Sequence, residues 1–318
     1  MKNFDVFVSK SYHFNSRYGR SKTRSPNPSI AEIQFQPPTI MRPTLFVLSL
    51  LLLVIAYIWG QPLLRKLRHD SLKKRPFPLE WLEILETELP LYNHLPEPIK
   101  QRLRSHIQVF LAEKQFIGCQ GLKITDNIRL IIAAQACLLS LNLRENYYPK
   151  LKMILVYPHI FQIKRAIAVD EYIVEEQENI VSGESWGKER QVILSWHIIQ
   201  QDLDNWQDGH NVIFHEFAHQ LDQQEGIANG VPPLKNQADY QQWSRIFTEE
   251  YQQLQSQIEN GLKLTIDPYG ATHPAEFFAV VTELFLDKAQ ILKQFHPQLF
   301  QILKNYYQLD PFLWLDSQ

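Results

Sequence analysis

Cysteine is nearly absent: Cys119 and Cys137 are the only two in 318 residues. They lie in apolar stretches without C-x-x-C spacing, which excludes a disulfide scaffold, a zinc ribbon and a thioredoxin-like motif and leaves buried free thiols. An excess of positive charge is missing as well. With a formal net charge of −2 there is no global basic field to neutralise phosphates, and nucleic acid is excluded as the expected partner. Internal repeats are absent. Low-complexity sequence is confined to residues 1–43, rich in Ser, Asn, Pro, Arg and Lys and expected to be a disordered tail. The remainder, in a chain that is 45% hydrophobic, can fill a substantial core.

Charge is absent altogether from Pro43 to Leu64, and Leu45 to Trp59 reads LFVLSLLLLVIAYIW. As a helix these 22 uncharged residues span roughly 33 Å, about the thickness of a hydrocarbon core. Tyr57 and Trp59 close the run, and Arg65, Lys66, Arg68, Lys73, Lys74 and Arg75 outweigh Arg42 on the other side. The pattern predicts a single transmembrane anchor at the inner membrane with the rest of the chain in the cytoplasm. A signal peptide lacks its small-x-small cleavage site in AYIWGQP, and a core helix would not be apolar on every face. Without insertion, the chain would be cytosolic. Met41, just before the run, is an alternative start to Met1.

The expected organisation is a tail over 1–43, an anchor over 44–64, a basic, proline-containing linker over 65–78 and one domain over 79–318. Residues 81–116 alternate apolar and charged positions at helical spacing, broken by prolines, and predict two or three short helices. GLKIT (121–125), KMILVYP, AIAV, EYIV and QVILSW predict strands, with a turn at SGESWGKE. Asp126 stands where a buried helix over 126–143 would be capped. After QVILSW the pattern is helical almost to the end, so strands precede helices and the class is α+β.

The chemistry is concentrated in VIFHEFAHQLD, residues 212–222. Four residues separate His215 from His219, which puts both imidazoles on one helical face where they can grip one ion. Glu216, rotated by about 100 degrees from His215 along the helix, can act on water without being a ligand. That is the division of labour of zinc hydrolysis. Phe214, Phe217, Ala218 and Leu221 supply an apolar face that excludes water, and Gly226 is a natural stop. The longer pattern HExxHxxGxxH fails, because 222 is Asp and 225 is Glu, so a third ligand must come from elsewhere. In DPYGATHPAEFFAVVTELF, Pro274 suits a first helical turn, and Glu276 and Glu283, seven apart, share a face. Spacing does not choose between them; one can hold the metal while the other orients a histidine.

SGESWG, VILSW, GHNVIFHEFAHQLD, YGATHPAEFFAV and YYQLDP, in this order between Phe77 and Pro311, resemble the Mlc titration factor A family of zinc-dependent peptidases, whose metal site is similar to that of the anthrax lethal factor catalytic domain. The resemblance implies a zincin-like α+β domain and one zinc ion per chain. His215, His219 and Glu276 would be the ligands, Glu216 the general base and Tyr269 the donor to a tetrahedral oxyanion, although the sequence around Tyr269 alone reads as a turn. It further implies aminopeptidase-like activity on peptide or protein substrates and, in some members, binding to a transcriptional repressor. A regulatory protein that sequesters such a partner is the alternative to an enzyme.

Asp222, on the His215 face, is a candidate acceptor for a ligand imidazole, beside the plainer reading of a carboxylate at a helix end. His210 and Asn211 suit capping. VILSW reads either as a core strand or as an edge that pairs with an extended peptide. Trp186 and Glu184 are candidates to line the cleft, Glu184 for a substrate ammonium.

Overall fold

The apolar run forms the middle of a long helix, α1 (Met41–Lys73), with Pro62 inside it. The computed structural model describes residues 41–143, 148–159, 161–170, 173–181, 183–186 and 190–315. The tail expected over 1–43 therefore falls outside them except at its end. Leu45–Lys73 is the helix among the described residues long and apolar enough to cross a membrane, with a mean hydropathy of 2.1 and none of its apolar window buried. The chain does not loosen where the charges begin: Arg65 to Lys73, expected in a linker, continue the helix. Residues 61–318 form one compact unit.

Short helices α2 (Leu79–Glu88), α3 (Pro90–His94) and α4 (Glu97–Glu113) follow, α3 and α4 each with proline in the first turn, where its missing N–H costs no helical bond. Next comes β1 (Gln115–Gly118). The strand expected over GLKIT thus lies earlier, and residues 121–125 are loop. The reason is local. Gln120 and Gly121 both take positive φ, 50° and 82°, and Leu122 N–H bonds back to Cys119 O. A side chain at Gly118 would strike the Leu122 carbonyl, so glycine permits this tight exit from the strand. Thr125, one residue before the expected cap, accepts Ile128 N–H and starts α5 (Asp126–Ser140). From Ile128 to Ser140 only Arg129 is not buried in α5.

Strands β2 (Met153–Tyr157), β3 (Phe161–Asp170), β4 (Ile173–Val181), β5 (Gly183–Trp186) and β6 (Gln191–Ser195) complete the β structure. The main sheet has the order β1-β2-β6-β5, with β1, β2 and β6 parallel. The strand β5 runs antiparallel to β6 along one edge. β3 and β4 form a separate antiparallel pair. VILSW therefore lies mostly in an interior strand, and among the described residues the free edge beside it belongs to β5. Burial explains this: Val192, Ile193, Leu194 and Ser195 are all inaccessible, as a strand covered on both faces requires.

The helical half comprises α6 (Trp196–Asp204), α7 (Val212–Asp222), α8 (Gln237–Glu259), α9 (Pro274–Asp287), α10 (Ala289–Phe295), α11 (Pro297–Tyr307) and α12 (Phe312–Leu315). α7 packs against α5 and α9 and lies beside β5 and β6. Its back is an aromatic core in which Phe217 meets Phe110 and Tyr148. Under α8 and α9, Trp243 stacks on Phe247 at 4.1 Å between ring centroids. Packing on both sides turns α7 into a rigid platform.

Candidate metal centre

The first turn of α7 is tied down by side chains from three elements. Asn211 caps it, its Oδ1 accepting Phe214 N–H at 3.0 Å and its Nδ2 donating to Gln135 Oε1 of α5 at 2.7 Å. Asp202 of α6 accepts Val212 N–H at 2.8 Å, and Glu283 of α9 accepts Asn211 N–H at 2.6 Å. Donors that a helix start leaves unsatisfied are thereby paired. Burial pushes the Asp202 carboxyl up to about 7; the Val212 N–H opposes this, while Glu283 and Asp208 add to it. Asp287, buried behind them, is raised well above the ordinary range by burial and by Glu283 and Asp202.

On this platform the two histidines converge with one carboxylate. His215 Nε2 and His219 Nε2 lie 3.2 Å apart, and Glu276 Oε2 is 3.0 Å from the first and 3.3 Å from the second. Donor atoms of all three side chains lie within 4.8 Å of one another. The two glutamates on one face of α9 take opposite sides of one imidazole. While Glu276 meets Nε2, Glu283 Oε1 is 2.7 Å from Nδ1. An ionised carboxylate only accepts, so Nδ1 donates to Glu283, and with a cation seated among the three side chains the Nε2 lone pair would be the one left to face it. The donor set of two imidazoles and a carboxylate, with one imidazole's tautomer fixed from behind, fits a divalent transition metal.

The electrostatics agree. Burial opposes a charged His215, yet the bonds to Glu276 and Glu283 hold its pKa well above the usual imidazole value. Burial likewise opposes ionisation of Glu276, but the two histidines pull its carboxyl far below the ordinary range. A positive charge is stabilised at the point where the three meet. His219 differs from His215: its Nδ1 is buried without a hydrogen-bond partner among the described residues.

Glu216 is 4% exposed, and its Oε2 has no partner among the described residues. Burial pushes its carboxyl up to about 8, with His215 opposing and Glu276 and Glu283 reinforcing. A buried, unsatisfied carboxylate on a rigid helix is costly unless something uses it. Tyr269 lies in a single 3₁₀ turn, Pro268–Ala271, capped by Asp267 Oδ1 accepting Tyr269 N–H at 2.7 Å. Its ring is 6.0 Å from that of His215 between centroids, and it is 54% exposed. Partial burial, then the charges of Glu276 and Glu216, raise its phenol above the usual value. The turn reading and the place beside the histidines hold together.

Asp222 does something other than meet an imidazole. Its carboxylate accepts Gly230 N–H at 2.8 Å and Val231 N–H at 3.0 Å, pinning the loop after α7. Gly230 (φ +79°) leaves no room for a side chain against the Pro274 carbonyl, and its own carbonyl accepts from Trp243 Nε1 at 2.9 Å. That clamp locks the end of α7 to the start of α9, where Glu276 sits. His210 pairs with Asp267 at 3.5 Å, bridging the approach to α7 and the Tyr269 turn. Glu184 and Trp186 are in β5; their side chains are outside the described ones.

Sequence reasoning missed Asp202, Gln135, Gly230 and Trp243. Gln135 carried a signal, as the one amide in the apolar run IIAAQACLL; the others are recognisable only from what they touch.

The family model described as glucose-regulated metallo-peptidase M90 matches residues 64–308. The chain is 54% identical over 273 residues to the protein slr2042 of Synechocystis, covering 86% of this chain and 99% of that one. It is 32% identical over 235 residues to Mlc titration factor A of Yersinia pestis, covering 73% of this chain and 85% of that one.

Proposed function

Because the chain belongs to the M90 metallopeptidase family, the family of Mlc titration factor A, we propose that it is a zinc-dependent, aminopeptidase-like enzyme of zincin-like α+β fold. His215, His219 and Glu276 hold the ion. The observation that carries this reading is the convergence of two imidazole nitrogens and one carboxylate oxygen beside the buried, unpartnered oxygen of Glu216. When bound, zinc supplies Lewis-acid chemistry, polarising a carbonyl and acidifying water.

The chain's own groups do the rest. Glu216 accepts the proton of the attacking water and passes it to the leaving amine. Tyr269, exposed toward solvent beside His215, donates its hydroxyl to the oxygen on which negative charge develops. Glu283 keeps His215 in one tautomer and orientation. The free edge of β5, beside α7, offers main-chain pairing to an extended peptide. The apolar part of α1 serves as a single-pass anchor, and the positive charges after it favour a cytoplasmic catalytic domain.

A second reading has the chain sequester a protein partner, a repressor among the candidates; the name of the Yersinia relative supports it. Glu216 and Tyr269 favour the enzyme, since a site kept for structure needs neither a base nor an oxyanion donor. The test is hydrolysis of matched peptides with free and blocked amino termini, with and without chelator, by wild type and Glu216→Gln. The expected outcome is chelator-sensitive cleavage of free-ended peptides, lowered by about 10²- to 10⁴-fold in the variant with zinc retained. Zinc-loaded protein that cleaves neither peptide would transfer the conclusion to the binding reading.

A further inference from the structure

The positive charge that follows the apolar run is folded into a cleft. Arg65, Lys66, Arg68 and His69 of α1 meet Glu113 at the end of α4 and Lys152 before β2 around a cavity of 790 Å³. Glu113 is the only acid among the described residues that line it, and it is committed. It accepts from Arg65 Nε and Nη2 at 3.0 Å each and lies 2.6 Å from the buried His69 Nε2. Burial opposes its ionisation, but Arg65 and His69 hold its carboxyl below the usual range. Arg68 reaches only the Ala112 carbonyl, at 3.5 Å. Neither Lys66, Arg68 nor Lys152 pairs with a carboxylate among the described residues.

Lys114 shows independently how crowded the positive charge is. Its buried ammonium donates to the carbonyls of Tyr148 and Leu151 at 2.7 and 3.0 Å. Burial pushes it down to about 8; Glu113 opposes this, while Lys152 and Arg65 lower it further. An anion entering the cleft would meet three unpaired cations and a fourth, Arg65, fixed in place.

We infer that this cleft binds the headgroup of an anionic phospholipid, with Lys66, Arg68 and Lys152 as the charges that meet its phosphate. Continuity of the chain selects a lipid over a soluble anion. Arg65 directly follows the uncharged run in the same helix. At about 1.5 Å per residue, Lys66 and Arg68 lie within about 6 Å along the axis of the last apolar residue. Such basic groups at the cytoplasmic end of a span meet the anionic leaflet surface. The inference rests on reading α1 as that span.

The test uses the full chain in neutral detergent micelles at about 0.15 M salt. It is titrated with dihexanoyl phosphatidylglycerol, dihexanoyl phosphatidylcholine and inorganic phosphate. The expected result is phosphatidylglycerol binding about tenfold or more tighter than phosphatidylcholine, at about fivefold in affinity per basic side chain, with phosphate not saturating in the same range. Lys66→Gln/Arg68→Gln/Lys152→Gln should abolish the preference. Equal binding of the two lipids, a preference surviving in the triple variant, or phosphate matching phosphatidylglycerol would each overturn the lipid site. All three positions are exposed, so the variant should unfold at the wild-type temperature. If it unfolds earlier, Lys66→Gln alone carries the test through its about fivefold loss. Alkaline extraction from membranes tests the span separately; release of a chain that keeps its lipid preference would remove the anchor and leave the cleft.

Discussion

In α1 the leucines from Leu50 to Leu53 are all more than half exposed, whereas in α7 Phe214, Phe217, Ala218 and Leu221 are wholly excluded from solvent. Both helices are built on apolar residues. The difference lies in what else each carries. Between Leu50 and Trp59 α1 has no charged side chain, so it needs only an apolar surrounding, which a bilayer supplies. α7 interleaves its apolar residues with His215, Glu216 and His219, which no bilayer satisfies. It needs a core that brings Glu276, Glu283, Asp202 and Asn211 to these groups and to the start of its backbone. Hydrophobicity places a helix out of water; its polar residues decide which kind of interior receives it.

The comparison breaks hardest at Glu276. Glu276→Gln should strip zinc from the protein on dialysis, beyond the about 10- to 100-fold affinity loss expected of Glu283→Gln. Metal analysis of the two variants side by side checks this, and equal zinc content would undo the assignment of one glutamate to the ion and the other to His215. Next, the same truncation in the two helices should have opposite consequences. Leu221→Ala should cost about 2–5 kcal/mol of domain stability, while Leu52→Ala should change it by less than about 0.5 kcal/mol. Denaturant unfolding of the full chain in detergent decides, and similar losses would mean that α1 is part of the domain core. A smaller effect is expected at the rim, where Tyr269→Phe should lower turnover by about a hundredfold with zinc content unchanged.

Smallest is a pH effect behind α7. The unfolded chain releases the Asp202 proton near its ordinary 3.8, but the folded chain keeps it until about 7. The contribution of Asp202 to wild-type stability should therefore fall as pH rises between these values and level off above. Asp202→Asn keeps an acceptor for Val212 N–H and loses the titration. Its stability relative to wild type should grow by about 2 kcal/mol from pH 5 to 7.5. Urea unfolding at both values tests this; a constant difference would show that the Asp202 carboxyl is already ionised at the lower one.

Much of the site was legible because local spacing carries it. The interval of four between His215 and His219 survives any packing, since it is set by the helical repeat. Seven residues between Glu276 and Glu283 put both on one face of α9, yet their separate duties follow from where α9 crosses α7. The misplaced strand at GLKIT failed for a comparable reason: propensity favoured it, but the turn at Gln120 and Gly121 came first. VILSW supplied a good strand pattern and no information on its neighbours, because sheet order is a property of long-range pairing. Asp222 was a candidate acceptor for a ligand imidazole by its place on the His215 face, but its carboxylate accepts backbone N–H groups eight and nine residues along the chain.

By itself the sequence determined the apolar helix and the basic charge after it, the helix that carries His215, Glu216 and His219, and strands followed by helices. Each is a short-range pattern, fixed by residue type and the period of the backbone. Only the tertiary structure decided that Glu276 meets Nε2 and Glu283 Nδ1, that β5 rather than β6 is the edge, that Asp222 clamps a loop, and that Arg65 and His69 close on Glu113. Those outcomes join residues as many as 68 apart, and over such distances packing, not spacing, sets who meets whom.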